Sequence, residues 1–290
     1  MKKFVAILIA VAMCVMIFAA CSSETPAASE SASESAQASE SATPEESASP
    51  EETAAAGSLD AIKEAGKLVM LTNAAFPPYE YLGSDNKPAG VDVDMAQAIA
   101  DEIGVELEVV DMDFDGLIPA LIGGKGDMIA AGLTVTDERK ESVDFSDTYA
   151  DATQLIIVAA DNEDITGVDD LNGKIIGVQL GTTGDIYASD IEGAEVSQYK
   201  TGLEAAMDLM NGKLDAVILD QLPAQNIVAS NEEQLKLIDE PFTDEQYAIA
   251  VKKGDTDFLA VVNSVIAKLQ DEGKVAEWTA SHAEAAAVVE

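Results

Sequence analysis

Arg139 is the only arginine in a chain of 290 residues whose other basic side chains are all lysine. A guanidinium presents two parallel N–H donors that match a carboxylate, a geometry an ammonium cannot reproduce. Arg139 follows Thr136-Asp137-Glu138, so Thr136 is placed to cap a helix whose first turn carries the guanidinium. That fork reads either as a clamp for a carboxylate or as a surface partner of Glu138 or Asp144. The opposite charge comes from Asp220, which closes the apolar run Asp215-Ala-Val-Ile-Leu-Asp220 and reads as a partner for a cation or as a helix cap. Other reactive side chains are scarce: one histidine, His282, and two cysteines, Cys14 and Cys21. A metal cage, a Ser-His-Asp triad or a Cys-His pair has almost nothing to be built from, and no Asp-x-Asp-x-Asp-Gly calcium loop is present. No metal and no cofactor are expected. A formal net charge of −38 excludes a generic nucleic-acid binder, which needs a basic footprint.

These residues must be held by elements, and the pattern alternates strands with helices. Apolar runs predict strands at Lys67–Leu71, Val105–Val110, Asp127–Ala131, Lys174–Val178, Ala216–Leu219 and Tyr247–Val251. Helical spacing predicts helices over Val91–Ile103 (stopped by Gly104), Phe114–Ile122, Leu203–Met210 and Leu259–Leu269. Such alternation implies a mostly parallel α/β architecture. One stretch echoes another: helix, Gly-Lys turn, Asp and strand occur at Lys125 and Asp127, and again at Lys213 and Asp215, with a constant offset of 88. Gly132 then corresponds to Asp220, each just past a strand end, where open α/β sheets bind ligands. Two such ends suggest two lobes with a cleft between them, unless the echo is merely a common type of αβ turn.

The amino end reads as targeting and tether. Lys2 and Lys3 precede an apolar run from Phe4 to Phe18, then Ala19, Ala20 and Cys21, the order of a secretory signal. Phe18-Ala19-Ala20-Cys21 resembles a bacterial lipobox with Phe in place of the usual Leu, so residues 1–20 are expected to leave and Cys21 to be lipidated. The alternative is a plain signal with a chance cysteine. Cys14 would be lost with the signal. Residues 22–57 consist of Ser, Ala, Glu, Thr and Pro with one Gln and one Gly, a composition that cannot bury enough apolar surface to fold. As a coil this tether spans roughly 30–36 Å. The remainder carries 46 acidic and 14 basic side chains, which read as a solvated acidic surface.

Ala130-Ala-Gly-Leu-Thr-Val-Thr-Asp-Glu-Arg-Lys-Glu-Ser-Val-Asp-Phe-Ser-Asp-Thr-Tyr149 closely resembles the signature of the family 3, amino-acid-binding solute-binding proteins of ABC transporters. So do Phe76-Pro-Pro-Tyr-Glu-Tyr81, Gly90-Val-Asp-Val-Asp94, Phe114-Asp-Gly-Leu-Ile-Pro119, Gly177-Val-Gln-Leu-Gly-Thr-Thr-Gly184 and Asp215–Asp220, in family order across about residues 58–280. The resemblance implies a two-lobed, type II periplasmic-binding-protein-like α/β fold with two crossing strands. Lobe 1 would comprise 58–150 plus 248–290, and lobe 2 would comprise 151–247. Carried over by motif, Arg139 would clamp the α-carboxylate of a free amino acid, helped by backbone N–H groups near Thr134 and Thr183. The Gly181–Gly184 turn suits this, since a helix N-terminus offers unpaired donors to an anion. Asp220 would receive the α-ammonium, with the Thr134 hydroxyl and the Gly132 carbonyl. Phe76 and Phe114 would stack on or cap the side chain.

Specificity is expected from Asn73 and Gln179. Family members for cationic amino acids often carry an acid where Asn73 stands, so a neutral polar ligand such as glutamine is favoured, with arginine or lysine as the alternative. The resemblance also implies permease subunits of an importer as partners, a monomer, and a place on the extracytoplasmic face of the cell membrane through the lipid on Cys21. Two other classes stay open. One is an enzyme resembling the cyclohexadienyl dehydratases, which use a cleft carboxylate. The other is a sensor, which usually appends a membrane helix and a signalling domain; a free-standing receptor is expected, because the chain ends at Glu290 with neither.

Overall fold

A computed structural model describes residues 58–238 and 240–289; the signal, Cys21 and the tether lie outside the described residues. After helix α1 (Ser58–Ala65), strand β1 (Lys67–Thr72) buries Leu68, Met70, Leu71 and Thr72. Short strands β2 (Ala75–Phe76), β3 (Glu80–Leu82) and β4 (Pro88–Ala89) form a small antiparallel sheet. Helix α2 (Val91–Ile103) buries Val91, Met95 and Ile99 and stops at Gly104, whose left-handed φ of 84° suits a residue without a Cβ. Next come β5 (Glu106–Asp111), α3 (Leu117–Ile122), β6 (Met128–Ile129), α4 (Asp137–Ser142) and β7 (Val143–Phe145). The expected helix over 114–122 begins as a 3-10 turn at Phe114–Gly116. The expected strand 127–131 pairs only at Met128–Ile129, and Ala130 and Ala131 run on buried toward Gly132.

The chain then crosses through β8 (Ala150–Ala152) into β9 (Gln154–Ala159), β10 (Ile175–Gln179), α5 (Thr183–Ser189), β11 (Glu195–Tyr199), α6 (Gly202–Met210), β12 (Ala216–Asp220), α7 (Gln221–Ser230) and β13 (Leu235–Ile238). It returns through β14 (Glu245–Tyr247) to β15 (Ala250–Lys252), α8 (Thr256–Asp271) and α9 (Lys274–Val289). The fold is therefore the two-lobed α/β type: one sheet has the order β5-β1-β6-β15-β7, the other β11-β10-β12-β9-β13, and β8 pairs with β14 as the two crossing strands.

Two expectations need correcting. The run Tyr247–Val251 is not one strand. Tyr247 ends β14 in the crossing, while Ala250 and Val251 belong to β15 in the first sheet. Each segment is apolar for its own reason, so hydrophobicity alone cannot show the break. Nor are the sheets mostly parallel throughout. In each, the first three strands are parallel, but β15 runs antiparallel to β6 and β9 antiparallel to β12, because each enters from the opposite lobe.

The 88-residue echo has a structural basis. Asp127 Oδ2 accepts from Val69 N at 2.9 Å and Asp215 Oδ2 accepts from Ile175 N at 2.8 Å. Each aspartate thus tethers its own strand to the neighbouring central strand. Between the lobes, Tyr79, Tyr149 and Tyr247 pack ring on ring, with Tyr79 and Tyr247 edge to face at 5.0 Å.

Candidate functional site

Asn73, Phe76, Phe114, Gly132, Thr134, Arg139, Gln179, Thr183 and Asp220 all line one narrow pocket, joined by Thr182. The first six of these come from segments around the first sheet, and the remaining residues from the carboxyl ends of β10 and β12 and the start of α5. Among the described residues no group of three His, Cys, Asp or Glu side chains is placed to hold a metal ion.

Arg139 is buried in the first turn of α4. Thr136 Oγ1 accepts from Arg139 N at 3.1 Å, so the cap fixes the turn that aims the side chain. Its guanidinium donates from Nη1 to Thr134 O at 2.6 Å and from Nη2 to Gly181 O at 3.0 Å, and its Cζ lies 5.6 Å from the centre of the Phe114 ring. Burial lowers the Arg139 pKa, opposed by the negative charges of Glu245 and Asp220.

Asp220 is the buried last residue of β12. Burial pushes its pKa up to about 6; the Tyr247 hydroxyl and Gln154, as hydrogen-bond donors, oppose that rise, while the charge of Glu245 adds to it. Its hydrogen bonds are thus from neutral groups, a costly setting for a carboxylate unless a cation joins it.

Gly132 sits at φ 51°, and its N–H donates to Asp92 Oδ2 at 2.9 Å. A Cβ here would lie 2.7 Å from the Phe76 ring, so the backbone approaches that ring as only glycine permits. Asp92 is itself buried, with a pKa raised to about 6 chiefly by desolvation, and Tyr149 donates to the same oxygen at 2.9 Å.

At the other end Gln179 Nε2 donates to Asn73 Oδ1 at 2.8 Å and to Lys200 O at 2.9 Å, while Asn73 Nδ2 donates to Met112 O at 2.9 Å. The two amides therefore meet directly across the two sheets.

Four contributors were not singled out as site residues in the sequence, although Thr182 lies within the Gly181–Gly184 turn already placed at the carboxylate. Thr182 caps α5 by accepting from Asp185 N at 3.3 Å and donates to Gln179 O at 2.8 Å. Gln154 Nε2 donates to Thr183 Oγ1 at 3.3 Å. Tyr247 holds Asp220. Glu245, buried on β14, accepts from Thr134 and Thr183. Thr182 carried a readable signal, a threonine three residues before Asp185 at a helix start. The other three lie on crossing or adjacent strands, where no spacing marks them.

The family model for bacterial extracellular solute-binding proteins, family 3, matches residues 68–284. An L-cystine-binding protein of Escherichia coli is 33% identical over 219 residues, covering 75% of this chain and 82% of that protein. Among solved structures, the arginine-bound form of a truncated ArgBP from T. maritima superposes with a TM-score of 0.70 at 44% identity, covering 72% of this chain and 99% of that one. An ancestral amino-acid-binding protein described as a precursor of cyclohexadienyl dehydratase superposes at 0.71 with 33% identity, covering 78% and 99%.

Proposed function

Since this chain belongs to the bacterial extracellular solute-binding proteins of family 3, we propose that it is the receptor of an ABC importer, closing its two lobes on one free amino acid. The observation that carries the reading is the pairing of Arg139 from the first lobe with Asp220 from the second on one buried cavity. A zwitterion has a carboxylate for the guanidinium and an ammonium for the carboxylate, and only the closed state satisfies both. Thr134 and the Gly132 carbonyl complete the ammonium shell, and the first-turn N–H of Thr183 assists Arg139 at the carboxylate. The switch of sheet membership at β8 and β14 supports lobes of 58–150 plus 248–290 and 151–247.

For the side chain we favour a neutral polar group such as that of glutamine. The far end of the cavity is formed by the amides of Asn73 and Gln179, and Asp220 is the one carboxylate among the lining residues. Phe76 and Phe114 supply aromatic faces for a planar group. Arginine is the second reading, supported by the arginine-bound T. maritima relative. Calorimetric titration of the domain with the twenty amino acids tests both: tightest binding by L-glutamine is expected, and tighter binding by L-arginine reverses the order. Binding of none defeats the receptor reading.

Function as a receptor rather than an enzyme belongs to the same proposal. Incubation with prephenate or arogenate is expected to yield no product, an arm chosen because one structural relative is a dehydratase precursor. So does monomeric anchoring through Cys21 at the outer face of the membrane: Cys21→Ala is expected to release protein into the soluble fraction, and membrane retention refutes the anchor.

A further inference from the structure

Glu245 lies on β14, one of the two strands joining the lobes, and its Oε2 accepts two hydroxyl hydrogen bonds, each of 2.8 Å. One donor is Thr134 Oγ1, beyond β6 of the first lobe; the other is Thr183 Oγ1, at the start of α5 in the second. All three residues are buried. A threonine hydroxyl owns one proton and two lone pairs. With its proton committed to Glu245, Thr134 turns only acceptors toward the cavity, and Thr183 also accepts from Gln154 Nε2.

We infer that Glu245 is a positioning residue that makes Thr134 an obligate acceptor for a ligand ammonium and ties the two lobes together in the closed state. This rests on the amino-acid-receptor reading and adds a polarity to it. A hydroxyl held in this way opposes a carboxylate and welcomes an ammonium, so the amino end of the ligand is directed to Thr134 and Asp220. The carboxylate is left to Arg139. A hydroxyl fixed by Glu245 has less rotational freedom to lose on binding. Glu245 is buried and acts through the two threonines that donate to it.

The test titrates L-glutamine and L-arginine into wild type, Glu245→Met, Glu245→Gln, Thr134→Val and the Thr134→Val/Glu245→Met double variant, with melting curves to verify folding. Glu245→Met keeps the volume and removes both acceptors; a loss of about tenfold or more in affinity is expected for whichever probe binds wild type. Glu245→Gln keeps an oxygen that can accept both hydroxyls, so it should recover most of that loss, to within about fivefold of wild type. The double variant should lose clearly less than the product of the two single losses, because both singles break one shared hydrogen bond. Three results overturn the inference alone while the receptor reading stands: Glu245→Met binding as tightly as wild type, Glu245→Gln as weak as Glu245→Met, or strictly multiplicative losses. Wild type binding neither probe, nor any other amino acid, defeats the receptor reading and this inference with it.

Discussion

Arg139 and Asp220 carry opposite charges in one cavity, and each lends itself to a separate measurement. Arg139→Lys retains the charge but replaces the two-pronged fork with a single point donor. The loss of amino-acid affinity is expected to be about 2–4 kcal/mol, roughly 30- to 1000-fold, with the far-ultraviolet circular dichroism unchanged. Unaltered calorimetric binding would remove Arg139 from the site. Asp220 sets a pH dependence. Its pKa is pushed up to about 6, and the protonated form cannot pair with an ammonium. Affinity should therefore be flat above about pH 7 and weaken as pH falls through 6, approaching about tenfold per pH unit; an affinity constant down to pH 5 would contradict this role. Gly132→Ala would push a methyl group to 2.7 Å from the Phe76 ring at a φ of 51°. Weakened binding together with a melting temperature lowered by several degrees is expected.

At the scale of elements, the paired aspartates of the repeated unit do equivalent work in the two sheets. Asp127→Ala and Asp215→Ala each remove one strand-to-strand hydrogen bond, expected to cost about 0.5–1.5 kcal/mol in urea unfolding while leaving ligand affinity unchanged. A cost at one position and none at the other would mean that the echo is only a resemblance of turns. Much at this scale was legible. Apolar period and the Gly104 stop located α2, and the run of Ala216–Leu219 located β12 to within one residue. The cavity residues were legible because Arg139 is unique and because the motifs around it occur in family order. What stayed hidden depended on partners distant in sequence. Tyr247 and Ala250 stand in one apolar string, yet the chain passes from the crossing to the first sheet between them. Glu245 looks like one more acid among 54, and only the folded crossing shows that it receives two threonines.

For the whole molecule, buried acids make stability depend on pH. Asp92 and Asp220 both have pKa values raised to about 6, and burial raises Glu80 well above the ordinary range. A carboxyl group whose folded pKa exceeds its unfolded value stabilises the fold while protonated, and that contribution is lost as pH rises through the folded pKa. A tenfold difference in proton affinity between the folded and unfolded chain corresponds to about 1.4 kcal/mol, so the ligand-free domain should melt several degrees higher at pH 5 than at pH 7. Relief of the acidic surplus on the surface acts in the same direction. The lowered pKa values of Asp144, Asp170 and Asp208 act in the opposite sense, but these groups are at or near the surface and solvent screens them. A melting temperature that falls on acidification to pH 5 would show that these buried acids are ionised without cost.

The strand order also sets a sequence of events for a chain emerging from its amino end. The second sheet is drawn wholly from residues 154–238, whereas the first waits for β15, which lies between β6 and β7. A chain extruded only as far as residue 248 already holds every strand of the second sheet. Its first sheet at that point has β7 with no neighbour and β6 with an open edge. The lobe begun first is therefore finished last, and during extrusion the exposed β6 edge is the surface most in need of protection from wrong pairing.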